Sequence, residues 1–476
     1  MISKDIYGQF AEHLGTGIYG GMWVGTDSKI PNTKGWRNDV VAALKNLHVP
    51  VVRWPGGCFA NEYHWRDGIG PQKRRPVRSN GNWGGEETNA VGTHEFFALA
   101  ELIGADAYIN GNLGSGSVHE MAEWLEYMTS ESKSTLAELR RKNGHEQPFN
   151  IAYFALGNEA WGCGGNMEPE AYVNLYRRYA TFLRLPPKNR PILIASGGTG
   201  EDTKWTGVLS NSLKNQTDAI SFHYYTIPTG QWDVKGPATG FTESQWIATL
   251  SNTLKMDSFI KANVAVLDKN DPEKKIGFDI DEWGTWYDQE SEKEVLRQQN
   301  TLRDAIVAAL NFHIFHAHAD RVRMTNIAQM VNVLQSMILT DGKRMVLTPT
   351  YHVYSMYVPF QNASALHVSI ANNPQYKLGD ISIASLSASA ARGRDGKLYL
   401  SLVNVNPASG LDVQLDVTNL AVSTVQGKLL TGEQMDAHNN FSNPEAVKPT
   451  QVTWQSIDGK LNIKLPAKAV LVLEIL

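Results

Sequence analysis

The sequence predicts an α/β fold in which a (β/α)8 TIM barrel is followed by a C-terminal antiparallel β-sandwich of jelly-roll-like form. Over the first three quarters of the chain, short and almost wholly apolar runs alternate with longer amphipathic stretches, as in a parallel sheet buried on both faces. Eight such runs in roughly 350 residues match the repeat of a TIM barrel. In the last quarter the pattern changes to an alternation of apolar and polar residues, which is typical of half-buried strands.

The eight predicted barrel strands are recognised by their apolar character and by the turn residues that follow them. In chain order they lie in the segments DIYGQFAEHLG, VPVVRWPGG, ADAYINGNLG, IAYFALGNEAWG, PILIASGG, AISFHYY, KIGFDIDEWG and RVRMTNIAQ. Apolar residues at helical spacing predict helices in GWRNDVVAALKNLH, THEFFALAELIG, PEAYVNLYRRYATFLR and VLRQQNTLRDAIVAALNFHIFHAH. We therefore predict a barrel domain over residues 1–362.

The C-terminal part has the pattern of a small sandwich. Period-2 runs appear in ISIASLSASAA, KLYLSLVNVN, LDVQLDVTNL and KLNIKLPAKAVLVLEIL, and no helical periodicity accompanies them. RDGK and IDGK are turn signals of the kind that join antiparallel strands. We therefore predict a β-sandwich over residues 363–476.

Composition and charge restrict the classes of partner. The chain has 476 residues, 42% of them hydrophobic, and a net charge of −4. This length suffices for two domains, whereas the charge offers no basic field for nucleic acid or an anionic membrane. No apolar stretch approaches the roughly 20 residues that a bilayer crossing needs. We expect a neutral ligand, with no nucleic-acid or membrane partner.

The two cysteines of the chain, Cys58 and Cys163, are too few for a disulfide framework. Both follow predicted barrel strands, but sequence alone does not establish that their sulfurs meet. We take two free thiols as the default expectation and leave their pairing open.

Polar and aromatic side chains follow the predicted barrel strands. In a TIM barrel these positions converge on the C-terminal face, where active sites are built. Carboxylates, amides, an arginine and several indoles together suit a neutral ligand that carries many hydroxyl groups. The candidate site residues are Glu12, Arg53, Cys58, Trp83, Asn158, Glu159, His223, Tyr225, Glu282, Trp286 and Gln329.

Two of these carboxylates call for a catalytic role. Glu159 in LGNEAWG and Glu282 in DIDEWG end the fourth and seventh strands, which lie roughly opposite each other across the barrel. A pair separated by about 5–5.5 Å suits retaining glycoside hydrolysis. Arg53 and Tyr225 could hold Glu282 ionised, which leaves Glu159 as the protonated acid, and burial against an indole would raise the pKa of that acid. Asn158 is suited to bind the hydroxyl next to the anomeric carbon.

GNEAWGCGG, together with DEWG, EHLG, RWPGG and NIAQMVNVL, resembles glycoside hydrolase family 51 over essentially the whole chain. The resemblance implies an exo-acting α-L-arabinofuranosidase with Glu159 as acid/base, Glu282 as nucleophile and Asn158 on the 2-hydroxyl. It also implies a homo-oligomer, often a hexamer. The chemistry needs no cofactor and no metal.

The same resemblance assigns the remaining candidates. Glu12, Tyr225 and Gln329 match family positions that hold the furanose ring or orient the nucleophile. Arg53 and His223 match residues around the catalytic carboxylates, while Trp83 and Trp286 match aromatic positions that line the site. Cys58 departs from the pattern, because some members carry there an Asn that binds the sugar, and a thiol is a poor hydrogen-bond partner.

Three alternatives stay open from the residues. An endo-β-1,4-glucanase or a β-xylosidase could use the same retaining site, and a non-catalytic carbohydrate-binding protein would keep only the binding residues. A metal hydrolase is the third, because His313, His316 and His318 lie close together. Positions i and i+2 of a helix do not share a face, so we favour packing or surface histidines.

The expected substrate is a neutral plant polysaccharide or oligosaccharide, such as arabinan or arabinoxylan. The N-terminal segment MISKDIYGQF lacks the regions of a signal peptide but starts abruptly. The polymeric substrate and this start favour a periplasmic or secreted enzyme whose leader is absent here, and a cytoplasmic location stays open.

Overall fold

A closed barrel of eight parallel strands forms the first part of the protein in a computed structural model, which describes residues 1–291, 294–418, 420 and 424–475. Each strand pairs with its neighbours in sequence, and the last strand closes on the first. The predicted barrel is confirmed. The strands are β1 Gly8–Phe10, β2 Val51–Trp54, β3 Asp106–Gly111, β4 Tyr153–Leu156, β5 Ile192–Ala195, β6 Ala219–Thr226, β7 Gly277–Thr285 and β8 Thr325–Ile327.

Helices surround the barrel and supply the outer layer of its core. Each of the four segments with predicted helical periodicity contains a helix, but the fourth begins at Leu302 rather than near Val295. The Thr301 hydroxyl accepts from the Arg303 amide and the Asp304 carboxylate accepts from the Thr301 amide, so a capping box starts the helix there. The helices are α1 Asn38–Asn46, α2 Thr93–Ile103, α3 Val118–Thr129, α4 Thr135–Lys142, α5 Pro169–Phe182, α6 Lys204–Ser212, α7 Glu243–Asn270, α8 Leu302–Ala317 and α9 Pro349–Tyr357.

The C-terminal part is an antiparallel sandwich, as predicted. Its six-stranded sheet has the order Ser364–Leu366, Leu386–Arg392, Leu398–Asn404, Ala469–Ile475, Thr424–Leu430, Thr450–Gln455. Separate two-stranded pairs are formed by Leu411–Asp416 with Lys460–Leu465, by Gln375–Leu378 with Ile381–Ala384 and, before the sandwich, by Ile338–Asp341 with Arg344–Leu347. The segment predicted as one strand in ISIASLSASAA is split at the buried Ser385, whose amide donates to the Pro374 carbonyl.

Helix α8 contributes to the contact between barrel and sandwich, together with α7 and α9. His313 on this helix is buried and hydrogen-bonds Ser387 and Ser401 on the strands Leu386–Arg392 and Leu398–Asn404. His316 lies one turn further, between Tyr7 and Ser389. These histidines pack the interface between the two parts, in line with the packing interpretation of the sequence.

One apolar cluster runs through barrel and sandwich without interruption. It joins barrel residues such as Phe312 to sandwich residues such as Val403 and Val470. A second cluster lies inside the sandwich, between the six-stranded sheet and the pair Leu411–Asp416 and Lys460–Leu465. Among the helices of the described residues, none is both long and apolar enough to cross a membrane.

Candidate active site

The two candidate catalytic carboxylates meet at the C-terminal face of the barrel. Glu159 follows β4 with φ +40°, an uncommon backbone conformation for a residue other than glycine. Glu282 lies in β7 and is 8% exposed. One carboxylate oxygen of Glu159 and one of Glu282 lie within 4.8 Å of each other. A closest oxygen-to-oxygen distance below 4.8 Å is compatible with the carboxyl-to-carboxyl spacing of about 5–5.5 Å in retaining glycosidases.

Two hydrogen-bond donors hold the Glu282 carboxylate. Arg53 Nη1 donates to Oε2 at 2.8 Å, and the Tyr225 hydroxyl donates to Oε1 at 2.8 Å. Burial, followed by the charge of Glu282, raises the pKa of Tyr225 well above its usual range, so this hydroxyl keeps its proton. Arg53 Nη2 also donates to Asn158 Oδ1 at 2.6 Å, which orients that amide. Arg53 and Tyr225 are therefore placed to stabilise negative charge on Glu282.

Glu159 has different surroundings. Its Oε1 lies 2.8 Å from His223 Nδ1, whereas its Oε2 faces the sulfurs of Cys163 and Cys58 at 3.6 and 3.9 Å. Burial raises the pKa of Glu159, and the charge of Glu282 adds to this effect, although the bond to His223 opposes it. The net shift is upward, which favours a protonated carboxyl at the start of a reaction.

Cys58 and Cys163 form a disulfide, so the expectation of two free thiols is wrong. Closure of the barrel brings the segment after β2 against the segment after β4, although the two cysteines are 105 positions apart. Asn61 Nδ2 donates to the Asn158 carbonyl and joins the same two segments. With both sulfurs oxidised, Cys58 carries no thiol proton to offer a ligand.

Glu12 lies at the side of the site near β1. Its Oε1 accepts from the backbone amides of Gly57 and Phe59 and from Trp83 Nε1, at 3.1, 3.0 and 3.1 Å. Gln329 Nε2 donates to Oε2 at 3.2 Å. Burial above all, with a contribution from the charge of Glu282, raises the pKa of Glu12 to about 7.

A cavity of about 710 Å³ opens above these groups. Tyr225 and Trp286 form one wall, with their rings 4.9 Å apart in an edge-to-face arrangement. Arg53 and Asn158 are buried, and Arg53 holds Glu282 and Asn158 through its hydrogen bonds. The remaining candidates from the sequence all line the cavity: Glu12, Cys58, Trp83, Glu159, His223, Tyr225, Glu282, Trp286 and Gln329.

Sequence analysis missed Asp281 and Trp232. Simple alternation along β7 places Asp281 and Glu282 on opposite faces, but the register of β7 with β8 shifts between Ile280 and Trp283. Asp281 therefore reaches the site and lies 3.1 Å from His223 Nε2. Its position directly before Glu282 was the only available signal. Trp232, on the loop after β6, is 55% exposed and lies 4.8 Å from the Trp286 ring, and no periodic pattern marks such a loop residue.

Comparisons with known proteins agree with this geometry. The family model described as "Alpha-L-arabinofuranosidase 1 domain" matches residues 43–235, and the model described as "Alpha-L-arabinofuranosidase C-terminal domain" matches residues 281–469. An intracellular exo-alpha-L-arabinofuranosidase of Bacteroides ovatus is 48% identical, over 100% of this chain and 93% of its own length.

Solved structures point the same way. A GH51 arabinofuranosidase from Xanthomonas axonopodis pv. citri is 48% identical with a TM-score of 0.98, over 100% of this chain and 97% of that one. An α-L-arabinofuranosidase from Thermotoga maritima, in complex with arabinose, is 30% identical with a TM-score of 0.85 over the same shares. The resemblance found in the sequence motifs is confirmed, and the chain belongs to glycoside hydrolase family 51, the retaining α-L-arabinofuranosidases.

Proposed function

We propose that Glu282 and Glu159 carry out the double displacement of this α-L-arabinofuranosidase, as nucleophile and as acid/base. The observation that carries the assignment is that the two carboxylates lie within 4.8 Å of each other in opposite surroundings. Glu282 accepts from Arg53 and Tyr225, which stabilise its charge. The raised pKa of Glu159 keeps a proton available on the other carboxyl.

In the first step, a Glu282 oxygen attacks the anomeric carbon of the arabinofuranosyl residue. The bond from that carbon to the leaving oxygen breaks, and the oxygen takes the proton of Glu159. In the second step, Glu159 takes a proton from water while the water oxygen attacks the same carbon. The electron pair of the glycosyl–enzyme bond returns to Glu282, so the configuration of the sugar is retained.

The groups around this pair are suited to hold a furanose ring. Asn158 is oriented by Arg53 and is assigned the 2-hydroxyl. Glu12 and Gln329, which are bonded to each other, offer a carboxylate and an amide to further hydroxyls. Aromatic side chains supply apolar contact with the ring. The full set of assigned binding residues is Glu12, Arg53, Cys58, Trp83, Asn158, His223, Tyr225, Trp286 and Gln329, with Cys58 contributing as half of a disulfide.

The substrate proposed is a carbohydrate with terminal α-L-arabinofuranosyl groups, such as neutral arabinan, arabinoxylan or their oligosaccharides. Glu159 and Glu282 both line the cavity of about 710 Å³, and removal of chain ends is the mode of action we propose for it. We assign catalysis to residues 1–362 and a supporting role to residues 363–476, which share an apolar core with the barrel. A homo-oligomer, with no nucleic-acid or membrane partner, completes the proposal.

Replacement of each glutamate tests the assignment. Glu282→Ala should lower kcat by at least about 10³-fold on every substrate, because no nucleophile remains. Glu159→Ala should lose far less activity on a nitrophenyl arabinofuranoside than on arabino-oligosaccharides, since nitrophenolate leaves without a proton. Exposed Glu170 on α5 provides the control, and Glu170→Ala should behave as the unmodified enzyme.

Equal losses on both substrates in Glu159→Ala would contradict the acid/base role. Product analysis on debranched arabinan and on arabinoxylan tests the substrate class, with arabinose as the expected product. Hydrolysis of a soluble β-glucan in preference to both would instead favour the endoglucanase alternative.

A further inference from the structure

Asp281 is a buried carboxylate that no step of the proposed reaction uses. It lies beside Glu282 on β7 and is 2% exposed. The Tyr108 hydroxyl donates to Oδ2 at 2.6 Å, and Arg53 Nε lies 3.7 Å from the same oxygen. The other oxygen, Oδ1, lies 3.1 Å from His223 Nε2. A carboxylate with this many partners, in the second layer of an active site, is placed to act through its neighbours.

His223 links Asp281 to the proposed acid/base. Its Nε2 faces Asp281 at 3.1 Å and its Nδ1 faces Glu159 at 2.8 Å, with Glu282 Oε2 3.6 Å away. Burial lowers the pKa of His223, but the charges of Glu282 and Asp281 outweigh it and raise that pKa to about 10. The imidazole is therefore positively charged at neutral pH and donates from both nitrogens.

The ionisable side chains that meet here are Arg53, His223, Asp281, Glu282 and Glu159. Their charges sum to zero in both steps only when Asp281 is ionised. In the free enzyme, Arg53 and His223 carry two positive charges, and Asp281 and Glu282 carry two negative charges. In the glycosyl-enzyme Glu282 is esterified and neutral, so the second negative charge belongs to Glu159. Although burial raises the pKa of Asp281, the charges of Arg53 and His223 hold it below its usual range, so Asp281 stays ionised throughout.

We propose that Asp281 is a positioning residue which, through His223, keeps the proton of the Glu159–His223 hydrogen bond on Nδ1 and leaves Glu159 ionised to activate water. The inference rests on the roles proposed for Glu159 and Glu282. Without the Asp281 charge, the proton moves from Nδ1 to Oε1 of Glu159, and the buried pair becomes neutral. Neutral Glu159 does not accept a proton from water, so the second step slows, whereas a first step whose leaving group needs no proton is unaffected.

The hydrogen bond between Glu159 and His223 also affects the first step. Because charged His223 donates to Oε1 of Glu159, the acidic proton of that carboxyl must lie on Oε2. Oε2 is the oxygen beside the disulfide, at the cavity wall that Cys58 lines. The Asp281–His223 pair thus selects which oxygen donates.

Asp281→Asn tests the proposal with a nitrophenyl arabinofuranoside. We expect kcat to fall by about 10- to 100-fold, the range of a weakened general base, and KM to fall with it because the glycosyl-enzyme accumulates. kcat/KM should change by less than about threefold, since it reports the first step. A burst of one nitrophenolate per active site should precede the steady state, and azide, which needs no general base, should restore kcat.

Two further variants separate a loss of the positioning role from a loss of folding. Asp279→Asn is the matched control, because Asp279 lies two residues earlier on β7 and is equally buried. Burial raises the pKa of Asp279 far above its usual range, so an amide replaces a carboxyl that is already neutral, and the kinetics should not change. Tyr108→Phe removes one hydrogen bond from Asp281 and should produce a smaller change of the same kind, even if Asp281→Asn folds poorly.

A parallel loss of kcat and kcat/KM in both Asp281→Asn and Tyr108→Phe, without azide rescue, would overturn the proposal, as would unchanged kinetics in both. Glu159→Ala in the same assay separates this result from failure of the proposed function. If azide rescues Glu159→Ala but neither Asp281→Asn nor Tyr108→Phe, only the positioning role is lost. If azide does not rescue Glu159→Ala, the acid/base assignment itself is lost.

Discussion

The Sγ atom of Cys163 lies 3.6 Å from Oε2 of Glu159, and its disulfide to Cys58 ties the segments after β2 and β4 together at that point. The proposed proton donor thus lies against a covalent link between two loops. Asn158 Nδ2, from the residue before Glu159, also donates to this sulfur at 3.6 Å. The position of the acid/base is therefore connected to the oxidation state of the two cysteines.

Loss of this link should affect stability and activity together. In the double variant Cys58→Ser with Cys163→Ser, we expect the free energy of unfolding to fall by about 2–5 kcal/mol, as for removal of a disulfide that closes a long loop. We expect kcat to fall as well, because Glu159 loses a fixed wall. Denaturant unfolding and steady-state kinetics measure the two effects.

Reductant supplies the control for that prediction. The exposed side of Cys163 gives a thiol reagent access to the bond. Dithiothreitol should therefore lower the activity of the unmodified enzyme towards that of the double variant and leave the double variant unchanged. Full activity in the reduced enzyme would contradict the predicted role of the disulfide.

Arg53→Lys should lower kcat/KM on every substrate, whatever its leaving group. The guanidinium of Arg53 bridges Glu282 Oε2, the Asp281 carbonyl and Asn158 Oδ1, which an ammonium group does not span. We expect a loss of about 10- to 100-fold, since one hydrogen bond to a charged group is worth about 1.5–3 kcal/mol. Kinetics on nitrophenyl and oligosaccharide substrates measure it, and a loss confined to poor leaving groups would contradict the expectation.

Trp232→Ala should weaken binding of the part of the substrate beyond the arabinofuranosyl group. Its ring is exposed at the cavity rim beside Trp286, and Lys235 Nζ lies 4.8 Å from its centre. Stacking of a sugar on this ring predicts a rise in KM of roughly tenfold for oligosaccharides, which corresponds to about 1.4 kcal/mol. The KM for a small methyl arabinofuranoside should stay the same. An equal change in KM for both substrates would contradict a role of Trp232 in binding the part beyond the arabinofuranosyl group.

The contact between α8 and the sandwich should be sensitive to acid. Burial lowers the pKa of His313 to about 3, whereas an unfolded histidine titrates at about 6.5. Between these values the unfolded state binds a proton that the folded state does not, so the free energy of unfolding falls as pH decreases below about 6.5. The slope contributed by this histidine approaches 1.4 kcal/mol per pH unit.

Urea unfolding of His313→Gln at about pH 7 and about pH 5 measures that contribution. The variant should lose less stability between the two pH values than the unmodified protein. His119 is an exposed histidine on α3, and His119→Gln should keep the original difference. A pH dependence that is the same in all three proteins would contradict the prediction.

Much of the architecture could be predicted because its signals are local. Glu159 lies just after β4 and Glu282 lies in the C-terminal half of β7, and a parallel barrel places the C-terminal ends of its strands on one face. By contrast, the register shift after Ile280 depends on how β7 meets β8, and no property of the segment itself reveals it. Asp281 was missed for this reason.

The sequence by itself determined the order of strands and helices, the change to a sandwich and most of the residues that reach the C-terminal face of the barrel. Local periodicity encodes these features, since burial of one face selects the spacing of apolar residues. Only the tertiary structure decided that Cys58 pairs with Cys163 and that Asp281 contacts His223. Both contacts join residues far apart in the chain: the curved barrel brings the segments after β2 and β4 together, and a register shift between the paired strands β6 and β7 brings Asp281 to His223.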